Sequence, residues 1–182
     1  MEKTLACTGF WPGQDFQDPD FDMLDKVSTG QHVLMEFLHG WCTLFAMALG
    51  EVTGFPIYCL ADQEELYDTG CFDPANDEFP LVHAFCVAGD LEDEENPPFF
   101  MDCRGMINSK QAFLEEFRDF FTEYRFFRYT AAQLQTVKQD IWNRFLGHEA
   151  ATQYYTEALN YIKEHIQDYT VNLETHKEGE NT

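Results

Sequence analysis

Residues 40–61, GWCTLFAMALGEVTGFPIYCLA, carry the clearest pattern of secondary structure in this 182-residue chain. Residues 41–52 are apolar nearly all round, which predicts a buried helix that Gly40 separates from the residues before it. Gly54 and Pro56 follow in the order that ends a helix, because glycine accepts the left-handed capping conformation and proline cannot continue the helix. Residues 57–61 then predict a strand.

The segments on either side of this stretch predict an α+β fold, in which a helix precedes an antiparallel sheet and further helices follow. Apolar runs bounded by acidic or proline-rich turns predict strands at residues 81–88 and 99–103, and an aromatic run predicts another at 124–129. Helical patterns occupy residues 22–28, 31–39, 111–121, 130–146 and 148–169.

The length and composition predict one domain over residues 1–182, with a helical extension at 106–170 and a flexible tail at 171–182. Hydrophobic residues make up 45% of the chain and aromatic residues 16%. This is too much apolar material for a disordered protein, so we expect a packed core.

The formal net charge of −22 argues against binding to nucleic-acid phosphates, because like charges repel. It fits a basic protein partner or mimicry of a polyanion, and it also fits an acidic surface that only keeps the protein in solution. No Lys or Arg lies between Lys26 and Arg104, whereas fifteen Asp and Glu do. This field should favour cationic substrates and raise the pKa of a thiol within it.

Six cysteines predict free thiols in a reducing compartment, and hence a cytoplasmic protein. None forms a C-x-x-C pair, residues 1–13 lack the basic start and apolar run of a signal peptide, and no apolar stretch reaches membrane-spanning length. Cys59 and Cys86 lie within the apolar strand patterns, which predicts that they are small core residues.

Cys42, His83 and Asp102 occur in an order that suits acyl transfer by a thiol. Cys42 lies at the start of the buried helix, where unpaired N–H groups and the helix dipole favour a thiolate and could bind an oxyanion. Each residue also has a structural explanation. Cys42 and His83 could be core residues, and Asp102 follows an apolar run where a carboxylate needs a partner, which could be His83 or Arg104.

The order and local context of these residues resemble the core of the transglutaminase-like branch of the papain-like cysteine superfamily. The resemblance covers residues 30–105 and implies that Cys42 is the nucleophile, His83 the general base and Asp102 the residue that orients the imidazole. The chain departs from the family pattern in its acidity and in lacking an obvious oxyanion-stabilising side chain, for which Gln31 and Trp41 are both candidates. The motifs that carry the resemblance are Gly40-x-Cys42 with its Leu-Phe-Ala-x-Ala-Leu helix, Thr53-Gly54-Phe55-Pro56, His83-Ala84-Phe85 and Asp102.

Two functions from different classes follow from these observations. The resemblance implies cysteine-dependent acyl transfer or amide hydrolysis on a protein or peptide substrate, as in a protease, a deamidase or a transglutaminase. Relatives that have lost catalysis keep such a fold as a scaffold, which gives the alternative of a non-catalytic acidic interaction or inhibitor protein that binds a basic partner or mimics nucleic-acid charge. Neither hypothesis requires a cofactor or a metal, and neither predicts direct binding to nucleic acid or to a membrane.

Overall fold

An antiparallel sheet of five strands organises residues 30–62 and 81–170, which are the residues that the computed structural model describes. Every neighbouring pair of strands is antiparallel, and the strand order across the sheet is β4-β3-β2-β1-β5. The strands are β1 (Ile57–Asp62), β2 (Leu81–Ala88), β3 (Phe99–Asp102), β4 (Gly105–Ile107) and β5 (Tyr124–Arg128).

Helices precede the sheet, connect its strands and follow it. Shorter helical turns extend three of them at Arg118–Phe120, Ile141–Phe145 and Ile166–Tyr169. In the described part of the chain, no helix combines the length and the apolar character needed to cross a membrane. The α-helices are α1 (Gly30–His39), α2 (Cys42–Thr53), α3 (Lys110–Glu115), α4 (Ala131–Asp140) and α5 (His148–Glu164).

Helix α2 forms as its sequence predicts, with every residue from Cys42 to Leu49 buried. It ends at Gly54, which takes the left-handed conformation at φ 75° and donates its N–H to the Gly50 carbonyl at 2.9 Å. An L-residue with a side chain would be strained there, so the glycine fixes the point at which the chain leaves the helix for β1.

The two faces of the sheet pack against different partners. On one face, Cys86 of β2 contacts α2 through a 3.4 Å hydrogen bond from its thiol to the Ala46 carbonyl. The other face carries an aromatic layer, in which Phe113 of α3 lies 4.6 Å from Phe85 and 4.8 Å from Phe100, measured between ring centroids. Because both faces are covered, β2 is buried along most of its length and shows no alternation of exposed residues.

The structure confirms a mixed fold of helices and an antiparallel sheet and adds one strand. Strand β4 was not predicted, because its three residues come directly after a turn at Cys103 and Arg104 and are too few to show a pattern. The helix predicted at 111–121 ends at Glu115 and continues as a separate short turn. The capping box of Thr130 and Gln133 is present and starts α4 as predicted. The predicted helix at 22–28 and tail at 171–182 lie outside the described residues.

Candidate active site

Cys42 is the first residue of α2, and its sulfur lies where strands β2 and β3 separate. The ladder between these strands ends at the pair Cys86–Met101, and Ala84 lies beyond that end. The Ala84 N–H donates to Cys42 Sγ at 3.4 Å. A backbone N–H can only donate, so this bond stabilises the thiolate more than the thiol.

His83 and Asp102 meet on the aromatic face of the sheet. Asp102 comes one residue after Met101 on β3, and strand alternation turns its carboxylate to the face that carries His83. His83 Nε2 lies 3.0 Å from Asp102 Oδ2. The Phe117 ring stacks on the imidazole with centroids 4.3 Å apart. The other ring nitrogen of His83, Nδ1, is buried and makes no hydrogen bond of regular geometry to the described residues. Because Nε2 faces Asp102, Nδ1 is the nitrogen that can exchange a proton with Cys42.

Asp102 has two partners, so both pairings considered from the sequence are present. Arg104 Nη2 lies 2.6 Å from Asp102 Oδ2, and Arg104 Nε lies 3.0 and 3.1 Å from the two carboxylate oxygens. The guanidinium also lies 5.1 Å from the centroid of Phe117, the ring that stacks on His83. Arg104 therefore positions Asp102, and their i, i+2 spacing was the sequence signal for this contact.

The contacts shift both Cys42 and His83 toward their charged forms. Burial alone would raise the pKa of the Cys42 thiol, but the imidazole, a backbone N–H and an adjacent hydroxyl lower it below the ordinary 9.0. Burial would lower the pKa of His83, but the Asp102 carboxylate and the Cys42 sulfur raise it from 6.5 to about 9. Asp102 stays ionised, because its hydrogen bonds outweigh burial and hold the pKa of its carboxyl below the ordinary 3.8.

The expectation that the acidic surroundings raise the pKa of the Cys42 thiol is wrong for this structure. The imidazole, the Ala84 N–H and the neighbouring hydroxyl act at contact distance inside the core. Charges on the surface act over longer distances and are screened by water and salt. The nearest groups therefore decide the protonation of the thiol.

Thr43 places a buried hydroxyl beside the nucleophile, and sequence reasoning missed it. The residue is 2% exposed, and its Oγ1 makes no regular hydrogen bond within the described part of the chain. The hydroxyl lies close enough to Cys42 to lower the pKa of the thiol. A polar residue directly after the cysteine, in an otherwise apolar helix, was the available sequence signal.

The two oxyanion candidates taken from the sequence have different outcomes. Trp41 is buried, and its indole packs against Tyr154 with ring centroids 6.1 Å apart. Gln31 is not among the residues whose side chains the structure describes. Neither residue is therefore placed against the Cys42 sulfur by any described contact.

All three predicted site residues are buried: Cys42 and Asp102 are 2% exposed and His83 is 0% exposed. A groove of ≈ 450 Å³ lies between α3 and β5, lined among others by Lys110, Phe121 and Tyr124, and it does not border these residues. A substrate would therefore need a local opening of the structure to reach the thiol, as the closing elements of many enzymes allow.

The described residues offer free thiols but no metal site. Cys42, Cys59, Cys86 and Cys103 are buried free cysteines. Within residues 30–62 and 81–170, no three His, Cys, Asp or Glu side chains are grouped so that they could hold a metal ion.

No family model, curated protein or solved structure matches this chain in the comparisons. The resemblance to the transglutaminase-like group therefore rests on the sequence motifs of this chain alone.

Proposed function

We propose that this chain is a cysteine-dependent acyl-transfer or amide-hydrolysing enzyme on a transglutaminase-like, papain-like core. The observation that carries the proposal is the hydrogen-bonded pair of His83 and Asp102 beside Cys42 at the N-terminus of α2. A thiol, an imidazole and an orienting carboxylate are the parts that nucleophilic catalysis by cysteine requires. The proposal also includes a reducing compartment such as the cytoplasm, where the thiol stays reduced.

The proposed reaction begins from the charged pair, in which the thiol proton of Cys42 has moved to the imidazole of His83. The thiolate lone pair forms a bond to the carbonyl carbon, and the carbonyl π pair moves to oxygen as an oxyanion. The oxyanion collapses and expels the amine, which takes the proton from the imidazolium and leaves a thioester on Cys42. Water or a second amine, activated by His83, then attacks the thioester and releases the thiol.

The substrate class that best fits the charge is a protein or peptide with basic residues. The chain carries −22, and the stretch before Arg104 that contains Cys42 and His83 holds fifteen acidic residues and no Lys or Arg after Lys26. Such a field raises the local concentration of cationic partners.

The pH dependence of Cys42 alkylation by iodoacetamide tests the proposal, with the labelled peptides identified by mass spectrometry. In the native protein, the labelling rate should rise with an inflection below the ordinary thiol value of 9.0, because His83 lowers the pKa of the thiol. In His83→Ala, the inflection should move upward. Burial of the sulfur reduces the rate at every pH, so the position of the inflection is the quantity to compare.

Cys86 is the internal control for this measurement, because it is equally buried and its pKa is raised by burial. It should stay unlabelled in the native protein at the pH values where Cys42 reacts. An ordinary thiol profile at Cys42, unchanged by His83→Ala, would refute the enzyme.

A second candidate, a non-catalytic acidic protein that binds a basic partner, is favoured by one observation. The nucleophile is 2% exposed, as expected of a core residue on a scaffold that does not turn over a substrate. This candidate predicts a complex with a basic probe such as oligolysine whose affinity falls steeply with added salt. It also predicts the ordinary thiol profile at Cys42.

A further inference from the structure

Helix α2 begins at the nucleophile with its own backbone donors directed at the reacting end. Cys42, Thr43 and Leu44 occupy the first three positions after the cap residue Trp41, and the first helical N–H to find an acceptor inside the helix is that of Phe45, which bonds to Trp41 at 3.2 Å. Trp41 supplies no side-chain cap. The N–H groups before Phe45 have no acceptor within the helix, which leaves them able to bind developing negative charge.

Thr43 adds an independent observation at the same place. Its hydroxyl is buried, with the residue only 2% exposed, and it has no regular hydrogen-bond partner in the described ranges. A buried hydroxyl that lies near a sulfur but makes no hydrogen bond of regular geometry is costly, since it loses its bonds to water and regains only part of their energy. A catalytic role is among the explanations for such groups in native proteins.

We propose that Thr43 is a catalytic residue whose hydroxyl, with the N–H groups at the start of α2, donates a hydrogen bond to the oxyanion formed when Cys42 attacks a carbonyl. The proposal rests on the proposed function. It gives a use to the one polar side chain of α2 that is buried against the sulfur, and it fills the role for which the sequence offered only Gln31 and Trp41.

The hydroxyl has two possible acceptors, and they make different predictions. In the resting protein it lies beside the sulfur and helps to lower the pKa of the thiol. During acylation, the carbonyl oxygen becomes negatively charged while the sulfur loses its charge. A donor able to reach both atoms then shifts to the oxygen and stabilises the transition state more than the resting state.

The test compares two reactions of the same thiolate in the full-length protein. Alkylation by iodoacetamide displaces iodide at a saturated carbon and forms no oxyanion. Acetylation by p-nitrophenyl acetate forms an oxyanion, which collapses to a thioester and p-nitrophenolate. Both rates scale with the thiolate fraction, so their ratio cancels any change in the thiolate fraction of Cys42 and any change in access that affects the two small reagents alike.

Thr43→Val should lower the ratio of acetylation to alkylation about 10- to 100-fold, toward the loss seen when one oxyanion donor is removed. Thr43→Ser keeps the hydroxyl and should restore most of the ratio. Thr53→Val is the matched control, because Thr53 lies in the last turn of the same helix and bonds to the Leu49 carbonyl at 2.7 Å. It should leave the ratio unchanged.

The two proposals fail in different ways. If native protein releases p-nitrophenolate no faster than Cys42→Ser, the proposed function is wrong, and the role of Thr43 is refuted with it. If native Cys42 is acetylated but Thr43→Val lowers both rates equally, or lowers neither, only the role of Thr43 is refuted. A drop in the ratio that Thr43→Ser restores supports the proposal.

Discussion

Two buried thiols join helix α2 to strand β2, and they differ in the direction of their hydrogen bonds. At one end of the contact, Cys42 Sγ accepts the Ala84 N–H at 3.4 Å. At the other end, the Cys86 thiol donates to the carbonyl of Ala46, four residues further along the same helix, also at 3.4 Å. The first bond stabilises a thiolate, whereas the second requires the proton to stay on sulfur.

The charged groups near the two thiols also favour a thiolate at Cys42 and a protonated thiol at Cys86. Burial raises the pKa of Cys86, and no described group opposes that effect. Burial acts on Cys42 too, but there the imidazole of His83 and the surrounding donors reverse it. The comparison teaches that burial does not decide whether a cysteine is inert. The donors and charges that the fold brings to the sulfur decide it.

The end of the α2–β2 contact at Cys42, where His83, Asp102 and Arg104 meet, should also contribute more to the free energy of unfolding than the end at Cys86. The substitution Arg104→Met tests this. The substitution removes one partner from Asp102, a buried carboxylate, while it keeps the side-chain volume. We expect the free energy of unfolding to fall by about 3 kcal/mol, the lower part of the range for a broken buried pair, because His83 still faces the carboxylate. Urea denaturation gives this value from the shift in midpoint.

Arg118→Met is the control for loss of a guanidinium. Arg118 pairs with Glu115 at 2.8 Å, but both side chains are more than half exposed. Such a surface pair contributes about 0.5 kcal/mol or less. Equal losses in the two variants would show that the Asp102 network contributes no more than a surface ion pair.

Cys42 and His83 should contribute to the pH dependence of stability in opposite directions, so their contributions partly cancel. The pKa of His83 is raised in the folded state, so its contribution is complete below 6.5 and is lost as the pH rises to about 9. The pKa of Cys42 is lowered, so its contribution is complete above 9.0 and is lost as the pH falls. Between pH 6.5 and 9.0 the two contributions change in opposite directions, so the net pH dependence of the pair is smaller than that of either group alone.

The substitution Cys42→Ser removes the contribution of the thiol and leaves that of His83. His83 keeps the Asp102 carboxylate that raises its pKa, so the variant should lose stability as the pH rises above 6.5. Relative to the native protein, we expect a loss of about 1–2 kcal/mol between pH 6.5 and 9, smaller than the full shift of His83 because the sulfur no longer contributes. Urea denaturation of both proteins at several pH values measures it, and parallel profiles would contradict a charged pair.

The main elements of the fold could be predicted because their patterns are local. The apolar run and the capping glycine of α2 lie within one short stretch, and the capping box of α4 spans four residues. Strand β4 and the early end of α3 could not be predicted, because they depend on contacts with distant residues rather than on periodicity. The five-strand order likewise depends on β5 returning to pair with β1.

The candidate site was predictable in its residues but not in its electrostatics. Cys42, His83 and Asp102 were found by their order and local context, and the structure brings them together. The helix start was expected to lower the pKa of the thiol and the acidic surroundings to raise it, and the sequence could not decide between them, because the Ala84 N–H reaches the sulfur only where β2 and β3 separate. The composition showed the charge of the whole chain, whereas the protonation of Cys42 depends on a few atoms from three separate segments.

The smallest expected effect is at the neutral end of the contact, in Cys86→Ala. The substitution removes a buried sulfur and its bond to Ala46, so it leaves a small cavity between α2 and β2. We expect a loss of about 1 kcal/mol in the free energy of unfolding, as for removal of one small buried group. The alkylation profile of Cys42 should keep its inflection, because Cys86 carries no charge at neutral pH. A shifted inflection would mean that the two ends are coupled through the packing of α2 on β2, and that the reactivity of Cys42 depends on the apolar contact as well as on His83.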